Sequence, residues 1–320
     1  MPAESGPNAQ WRTLIAVLPL WLVLAVGLNA CTTVKTSTEA VVEASRTAVE
    51  RIVPATGTAA GRKAALIGVD AGLPNVQPGF SAHFSRNFQA LLEKECPGLR
   101  FDSALAADFK APPRIASGLL DGYTLAVLGR RKGVDYFLVG TLMDVKLEQE
   151  PTGFWLWRDT RNLIRTVVRV EAVDAATGAK ILDDSQKGEM EIDSLKYEEL
   201  QQSQAISIAD VQPELDRMLQ KSARLVCRLL RERPWQAFVV SAENGAILLS
   251  AGSDAGLAAG RVLEVFGLGA PLVGKDGQRF VPIGEKLGEA TVSIVSRDSA
   301  QALFERWELV RDGGTVRMKK

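Results

Sequence analysis

The chain has 320 residues, which is enough for one large domain or two smaller ones. Apolar residues make up 46% of the sequence and charged residues 24%, a globular composition that excludes a mainly disordered chain. Lysine plus arginine and aspartate plus glutamate both number 38, so we expect no nucleic-acid partner attracted by an overall basic charge.

The sequence offers few residues for site chemistry. His83 is the only histidine, so no multi-histidine metal site can form, and no Cys-x-x-Cys pair occurs. A Gly-x-Ser-x-Gly nucleophile elbow and a Gly-x-x-x-x-Gly-Lys-[Ser/Thr] phosphate loop are also absent from the sequence. We therefore expect no enzyme, no catalytic residue, no cofactor and no metal ion. Four carboxylates could in principle group, although surface carboxylates at turns are the usual explanation: Asp70, Asp174, Asp183 and Asp184.

The first predicted element is an uncharged apolar run, residues 13–34, between Arg12 and Lys35. The run is long enough for a membrane-spanning helix. Pro19 and Gly27 interrupt it, however, and small residues cluster at its downstream end, as they do in a signal peptide. We predict a signal peptide, with an uncleaved signal anchor and a buried core helix as the alternatives.

The end of this run, Leu28-Asn29-Ala30-Cys31, resembles the lipobox of bacterial lipoproteins. The resemblance implies cleavage before Cys31 and acylation of this cysteine, with palmitate among the acyl chains. Several acyl chains anchor a protein stably, whereas one binds only marginally. Thr32 in place of aspartate favours, by the enterobacterial sorting pattern, the periplasmic side of the outer membrane.

Cys96 and Cys227 are the cysteines that remain, and the periplasm allows disulfides to persist. Cys96 lies near the end of one predicted helix and Cys227 lies within a later one. The sequence cannot supply the distance between them. A disulfide and a pair of unpaired buried cysteines both stay open.

An α/β pattern begins at Arg62. A buried strand at 63–70 is followed by a helix at 80–95, in which phenylalanines recur at helical spacing and His83 is expected at the helix surface or boundary. Another helix is predicted at about 117–132, and its end, Gly-Arg-Arg-Lys-Gly at 129–133, is expected in solvent. A strand at 135–150 and an alternating strand at 162–174 then precede a polar return strand.

The segments "GVDYFLVGTL" and "VDAATGAKIL" within 62–193 resemble the α/β domain shared by the amino-terminal region of TolB and the curli-secretion lipoprotein CsgG. The resemblance implies a mixed-sheet α/β fold. An amphipathic helix follows at 210–234, and Pro234 closes it. Much of its apolar stripe consists of Val211, Leu215, Leu219, Val226 and Leu230.

The carboxyl-terminal region predicts short strands with glycine-rich turns, and Asn244-Gly245 is a hairpin signal. The region resembles the carboxyl-terminal domain of the flagellar assembly protein FlgT, and the matching positions are Gly245, Gly252, Gly256, Gly260, Gly284, Gly288 and Ser299. A small barrel-like β domain follows from this resemblance.

The predicted fold class is α+β, with a mixed-sheet α/β domain of the TolB and CsgG type followed by a small β-barrel-like domain. The predicted divisions are a signal peptide at 1–30, a lipidated tether with a short helix at 31–61, the α/β domain at 62–209, a closing or linking helix at 210–234 and the β domain at 235–320.

Two functions from different classes fit these patterns. The first is a non-enzymatic, lipid-anchored assembly or structural factor of the cell envelope, associated with the flagellar basal body or with other envelope partners. The second is a ring-forming outer-membrane secretion component like CsgG, which would be a homo-oligomer. Phe154, Trp155 and Trp157 lie between two long strands and are the predicted partner or membrane contacts.

Overall fold

The computed structural model describes residues 61–109, 111–154 and 157–319. The predictions of a signal peptide at 1–30, of lipidation at Cys31 and of a helical tether concern residues outside this part of the chain. Trp155 also lies outside it.

The first half of the described chain forms a five-stranded mixed sheet. Its strands are β1 (Lys63–Val69), β2 (Arg100–Phe101), β3 (Tyr136–Phe154), β4 (Trp157–Asp174) and β5 (Lys180–Ile192). They lie in the order β2-β1-β3-β4-β5. β1 runs parallel to β2 and to β3, whereas β3, β4 and β5 pair antiparallel. β3 therefore belongs to both the parallel and the antiparallel part of the sheet, whereas both neighbours of β4 are antiparallel to it.

Helices accompany the sheet, and polar side chains cap most of their amino termini. The helices are α1 (Phe80–His83, π-helical Phe84–Phe88 and Gln89–Glu95), α2 (Ser103–Ala107), α3 (Gly122–Lys132), α4 (Ser194–Ser203) and α5 (Ile208–Glu232). An aspartate caps each of α2, α3 and α4 by accepting a hydrogen bond from a backbone N–H three residues on. Ser207 and Asp210 form a capping box at the start of α5.

The π-helical turn in α1 keeps three phenylalanines on one face. Phe80, Phe84 and Phe88 are spaced by four residues, which exceeds the 3.6 residues of an α-helical turn. The wider π turn takes up this difference. All three rings are buried, and the ring centroids lie 5.8 Å and 4.8 Å apart. Gly140 of β3 provides the room that the Phe84 ring needs, because a Cβ atom at this position would overlap that ring.

The two faces of the sheet carry different helices. α1 and α5 cover one face, and all five residues of the predicted apolar stripe of α5 are buried there: Val211, Leu215, Leu219, Val226 and Leu230. α2 and α3 cover the other face over its parallel half. This second core includes Phe238, which belongs to the carboxyl-terminal part of the chain. The antiparallel outer half of that face has no helix over it among the described residues.

The carboxyl-terminal part is a closed six-stranded barrel. The strands that follow the sheet are β6 (Gln236–Glu243), β7 (Ala246–Leu249), β8 (Val262–Leu268), β9 (Leu272–Val273), β10 (Arg279–Phe280), β11 (Ile283–Val295), β12 (Ala300–Leu303) and β13 (Thr315–Met318). The barrel order is β11-β12-β7-β6-β13-β8, and β9 pairs with β10 outside it. Asn244 and Gly245 join β6 to β7 with φ values of 51° and 80°, as the predicted hairpin requires.

The predicted α+β class, a mixed sheet with helices followed by a small barrel, is confirmed. The α/β part and the barrel belong to one compact unit. The predicted domain boundaries at 62–209, 210–234 and 235–320 therefore stay predictions. α5 begins at Ile208, and its apolar face belongs to the core of the α/β part.

One sequence-based expectation was wrong. Arg130, expected in solvent at the end of α3, is 2% exposed because its side chain lies against the barrel. His83 was predicted at the helix surface or at its boundary, and the structure excludes the surface. It is buried against α5, where its Nε2 atom lies 3.1 Å from Oδ1 of the partly exposed Asp216. The sequence pattern of one helix does not show which other element packs against it.

A disulfide joins the two helices on the first face of the sheet. Cys96 follows α1, Cys227 lies within α5, and their Cα atoms are 5.5 Å apart, within the usual range for a disulfide. The bridge links positions separated by 131 residues and lies in the core.

We expect the double variant Cys96→Ala/Cys227→Ala to lower the free energy of unfolding by about 2–5 kcal/mol, because the unfolded chain loses a long covalent loop. Urea denaturation of the variant and of the oxidised wild-type protein measures this difference. Reduction of the wild-type protein should give a loss of similar size. Equal unfolding free energies for the oxidised and reduced wild-type proteins would contradict the expectation.

Candidate functional site

The β3–β4 hairpin extends beyond the rest of the sheet. β5 pairs with β4 as far as Ile192, opposite Asn162, whereas β3 and β4 continue to pair from Glu150 opposite Arg161 to the end of the hairpin. We call residues 150–154 and 157–161 the hairpin arm. Five residues of extended chain span about 17 Å. The arm is therefore a two-stranded projection from a three-stranded base.

The structure places two of the three predicted aromatic contacts at the end of the arm. Phe154 and Trp157 are cross-strand partners, so their backbones lie directly opposite each other. The Phe154 side chain is 83% exposed, which is the highest value among the exposed large hydrophobic side chains of the described residues. No described residue covers it. An exposed aromatic ring on a projecting ribbon is the clearest candidate contact in the described part of the chain.

Charged side chains surround the base of the arm. Arg165 on β4 forms ion pairs with Glu148 and Glu150 on β3, and its Nε atom lies 3.0 Å from Glu189 on β5. Arg161 repeats the pattern with Glu191 of β5 at 3.0 Å. A row of arginines therefore lies between two rows of glutamates. Single exposed ion pairs contribute little to stability, but a cross-strand network favours one register of the three strands.

The same face of the sheet holds a buried acid that the sequence did not single out. Glu171 is almost fully buried, and Arg114, Arg169 and Lys180 surround its carboxylate at 3.7 Å, 3.4 Å and 3.3 Å. The hydrogen bond from Arg169, followed by that from Lys180, lowers the pKa of nearby Asp183 to about 2. The cationic side chains around Glu171 are thus paired with carboxylates of the sheet, Glu171 and Asp183.

The four carboxylates that could have formed a site do not form one cluster. Asp70 accepts hydrogen bonds from the backbone N–H groups of Gly79 and Ser81, at 3.2 Å each. Asp174 accepts hydrogen bonds from Ala176 N–H and from the Thr177 hydroxyl in its own turn.

Asp183 and Asp184 are neighbours on β5 and therefore point to opposite faces of the sheet. Asp183 pairs with Arg169 and Lys180 on one face. Asp184 accepts a hydrogen bond of 2.6 Å from Ser222 of α5 on the other face. Each of the four carboxylates thus has a separate structural partner.

Two buried arginines, Arg130 and Arg62, lie where the α/β part meets the barrel, and we call this region the joint. Arg130 donates hydrogen bonds to the carbonyl oxygens of Ala175 and Ala176 in the β4–β5 turn, and to that of Gly313 before β13, the last at 3.0 Å. Burial lowers the pKa of Arg130 to about 10, and Asp174 partly opposes this effect. Because these carbonyls belong to both parts, one guanidinium group bridges the joint.

The second arginine of the joint is Arg62. It donates hydrogen bonds to the Tyr136 hydroxyl and to the carbonyl oxygens of Arg233 and Pro234, the latter two at 2.6 Å and 3.2 Å. Next to Tyr136 lies Asp135, which accepts a hydrogen bond of 2.8 Å from Lys63 N–H. Burial raises the pKa of Asp135 from 3.8 to about 7, against the opposing effects of this hydrogen bond and of Arg62.

Sequence reasoning missed these joint residues, although one signal was present. Asp135 is a charged residue directly before a buried strand, and such a position requires a partner. The partner of Arg130 could not be read from its neighbours, because Gly313 lies 183 positions away.

Among the described residues, no group of three or more His, Cys, Asp and Glu side chains is placed to hold a metal ion. None of the helices in the described ranges combines the length and the hydropathy needed to cross a membrane.

No protein-family model matches the chain, and no curated protein matches it. Several solved structures show a distant likeness, among them the three that follow. A hypothetical protein, CT253, of Chlamydia trachomatis is 12% identical at a TM-score of 0.32 and covers 53% of this chain and 97% of its own. A minor lipoprotein of Acinetobacter baumannii is 11% identical at a TM-score of 0.27, covering 53% of this chain and 92% of its own. A PelC dodecamer of Paraburkholderia phytofirmans is 14% identical at a TM-score of 0.30, and the match covers 57% of this chain and 94% of the PelC chain. At such values these likenesses assign neither a family nor a function.

The raised pKa of Asp135 predicts a pH dependence of stability. Between about pH 4 and pH 7 the native state keeps this proton while the unfolded state releases it, so the contribution of Asp135 to stability falls as the pH rises. Asp135→Asn keeps an oxygen for Lys63 N–H and removes the titration. We expect the unfolding free energy of the variant, relative to wild type, to increase from pH 5 to pH 7 by up to ~1.4 kcal/mol per pH unit.

Urea denaturation of both proteins at pH 5, 6, 7 and 8 measures this difference, and the other carboxylates cancel because both proteins share them. The difference should become constant above about pH 7. Parallel stability curves over the whole range would show that Asp135 titrates normally in the native state.

Proposed function

We propose that the protein is a non-enzymatic assembly or structural factor of the cell envelope, anchored by a lipid on Cys31 and contacting partner proteins through the hairpin arm. The lipid would hold it at the periplasmic side of the outer membrane. The FlgT resemblance makes the flagellar basal body the first machine to test. The observation that carries the proposal is the exposed Phe154 on a paired ribbon that extends beyond the sheet.

The arm is suited to contact because its conformation is already ordered. Paired strands lose little conformational entropy on binding, and an aromatic side chain offers a large contact area for few rotatable bonds. The network around Arg165 holds the base of the arm in register. A partner with a matching pocket would therefore bind the tip without reordering the sheet.

The carboxylates support a non-enzymatic function. Catalytic acids and bases usually lie in a cleft with perturbed pKa values and room for a substrate. Asp70, Asp174, Asp183 and Asp184 instead stabilise turns, ion pairs and a strand–helix contact. Asp135 has a raised pKa, but it is buried in the joint between the two parts.

The ring-forming secretion component is the second candidate, because β3 and β4 are unusually long at 19 and 18 residues. A membrane-spanning strand needs roughly 9–11 residues. The hairpin arm has five residue pairs beyond β5, and charged side chains lie at its base. These dimensions favour a contact element over a spanning one.

The lipid anchor predicts the membrane fraction of the protein. Wild-type protein should be in the outer-membrane fraction and should incorporate labelled palmitate, whereas Cys31→Ala should lose the label and leave that fraction. The control is Cys96→Ala/Cys227→Ala, which keeps Cys31 and should keep both the label and the location. A Cys31→Ala protein that stays quantitatively in the outer-membrane fraction would refute lipid anchoring.

The contact proposal predicts that Phe154→Ser reduces partner binding at least tenfold without changing stability, since the residue is exposed. The measurement is crosslinking in cells from a photoreactive amino acid at Thr152, with the crosslinked partner identified by mass spectrometry. Leu195→Ser is the matched control, because Leu195 is 80% exposed and lies on α4, which begins beside the base of the arm and not at its tip.

Equal crosslinking yields from wild type, Phe154→Ser and Leu195→Ser would exclude the tip as a contact. Crosslinks only to other copies of this chain, together with ion conductance of the purified protein in lipid bilayers, would favour the ring-forming candidate instead.

A further inference from the structure

A cleft of about 390 Å³ follows the outer edge of β1. Its floor is the main chain of β1 from Leu66 to Gly68. Ser81 and Ser85 of α1 line one wall, and Ala106 of α2 lines the other. The cleft lies on the side of β1 where β2 pairs, beyond the point at which β2 ends.

The backbone direction of β1 can be assigned residue by residue. Lys63 C=O accepts a hydrogen bond from Asp135 N–H, so odd-numbered residues face β3. Ala64 C=O accepts one from Asp102 N–H, so even-numbered residues face β2. Because hydrogen-bonding groups alternate along a strand, the N–H and C=O groups of Leu66 and Gly68 point into the cleft.

No described residue forms a backbone hydrogen bond with these groups of Leu66 and Gly68. The reason is the shortness of β2. Asp102 directly follows β2, and its side chain accepts a hydrogen bond of 2.8 Å from Leu105 N–H, which starts α2 and turns the chain away. Leu66 is 5% exposed, so its polar groups lie in a confined space where a partner has a large effect.

We propose that this cleft binds an extended peptide segment of another protein, which adds a strand beside β1 at the position where β2 stops. A polypeptide backbone fits because it offers donors and acceptors at the same two-residue repeat, ~6.6 Å, as Leu66 and Gly68. Helix walls on both sides leave room for a single strand rather than for the edge of a second folded sheet.

The walls define the side chains of this segment. Side chains on one face of the added strand meet the hydroxyl groups of Ser81 and Ser85, and those on the other face meet Ala106 and Phe109. The peptide would therefore alternate small polar with apolar residues and contain no proline where it pairs with β1. This site is separate from the hairpin arm and does not depend on it.

A library of random heptapeptides displayed on phage is the probe. Selection against full-length protein in detergent should enrich alternating polar and apolar sequences, and a synthetic consensus peptide should bind in a calorimetric titration. Ala107→Trp, which fills the cleft, should weaken this binding at least tenfold. Ala104→Trp is the matched control on α2, because Ala104 is also exposed but does not line the cleft, and it should leave binding unchanged.

Hydrogen exchange gives an independent readout. In the free protein the amides of Leu66 and Gly68 should exchange at least a hundredfold faster than that of Ile67, which faces β3, and the peptide should slow them. Failure to enrich alternating peptides, or equal binding by Ala107→Trp and wild type, would overturn the proposal. So would slow exchange at Leu66 and Gly68 that becomes fast when residues 32–60 are deleted, because this chain itself would then occupy the edge.

Discussion

The pairing of β3 with β4 is the constraint on which the rest of the structure depends. The two strands stay in register from Tyr136 opposite Asp174 to Phe154 opposite Trp157, with one shift near Asp144. This register decides which side chains face α1 and α5 and which face α2 and α3. It also carries the hairpin beyond the end of β5, so the core and the exposed arm are consequences of the same ladder.

The joint between the α/β part and the barrel combines an apolar contact with buried charge. Phe238 supplies apolar burial within the second core, while Arg130 and Arg62 satisfy carbonyl groups that the joint would otherwise leave unpaired. The same burial gives Asp135 its raised pKa, so the joint loses stability as the pH rises towards 7. Orientation of the two parts and sensitivity to pH therefore come from one group of residues.

Different parts of the described surface differ in how far their polar and apolar groups are paired. In the charged outer half of the sheet, cationic side chains form ion pairs with carboxylates of the same sheet, so few unpaired charges remain for a ligand. The tip of the arm and the edge of β1 differ, because each presents groups that the described chain does not satisfy: an exposed aromatic ring at Phe154 and main-chain donors and acceptors at Leu66 and Gly68. The proposed assembly function would use these two surfaces together with the proposed lipid anchor.

The sequence by itself determined the features that depend on near neighbours. Alternation and helical spacing predicted the α+β class, Asn244-Gly245 predicted its hairpin, and the apolar stripe predicted the buried face of α5. The lipobox, with its implied anchor at Cys31, is also a local pattern. Only the tertiary structure decided that Cys96 meets Cys227, that Arg130 is buried by Gly313, and that β5 ends before the hairpin does. These features depend on distances between residues far apart in the chain, which are set by how whole elements pack, and no short sequence window contains that information.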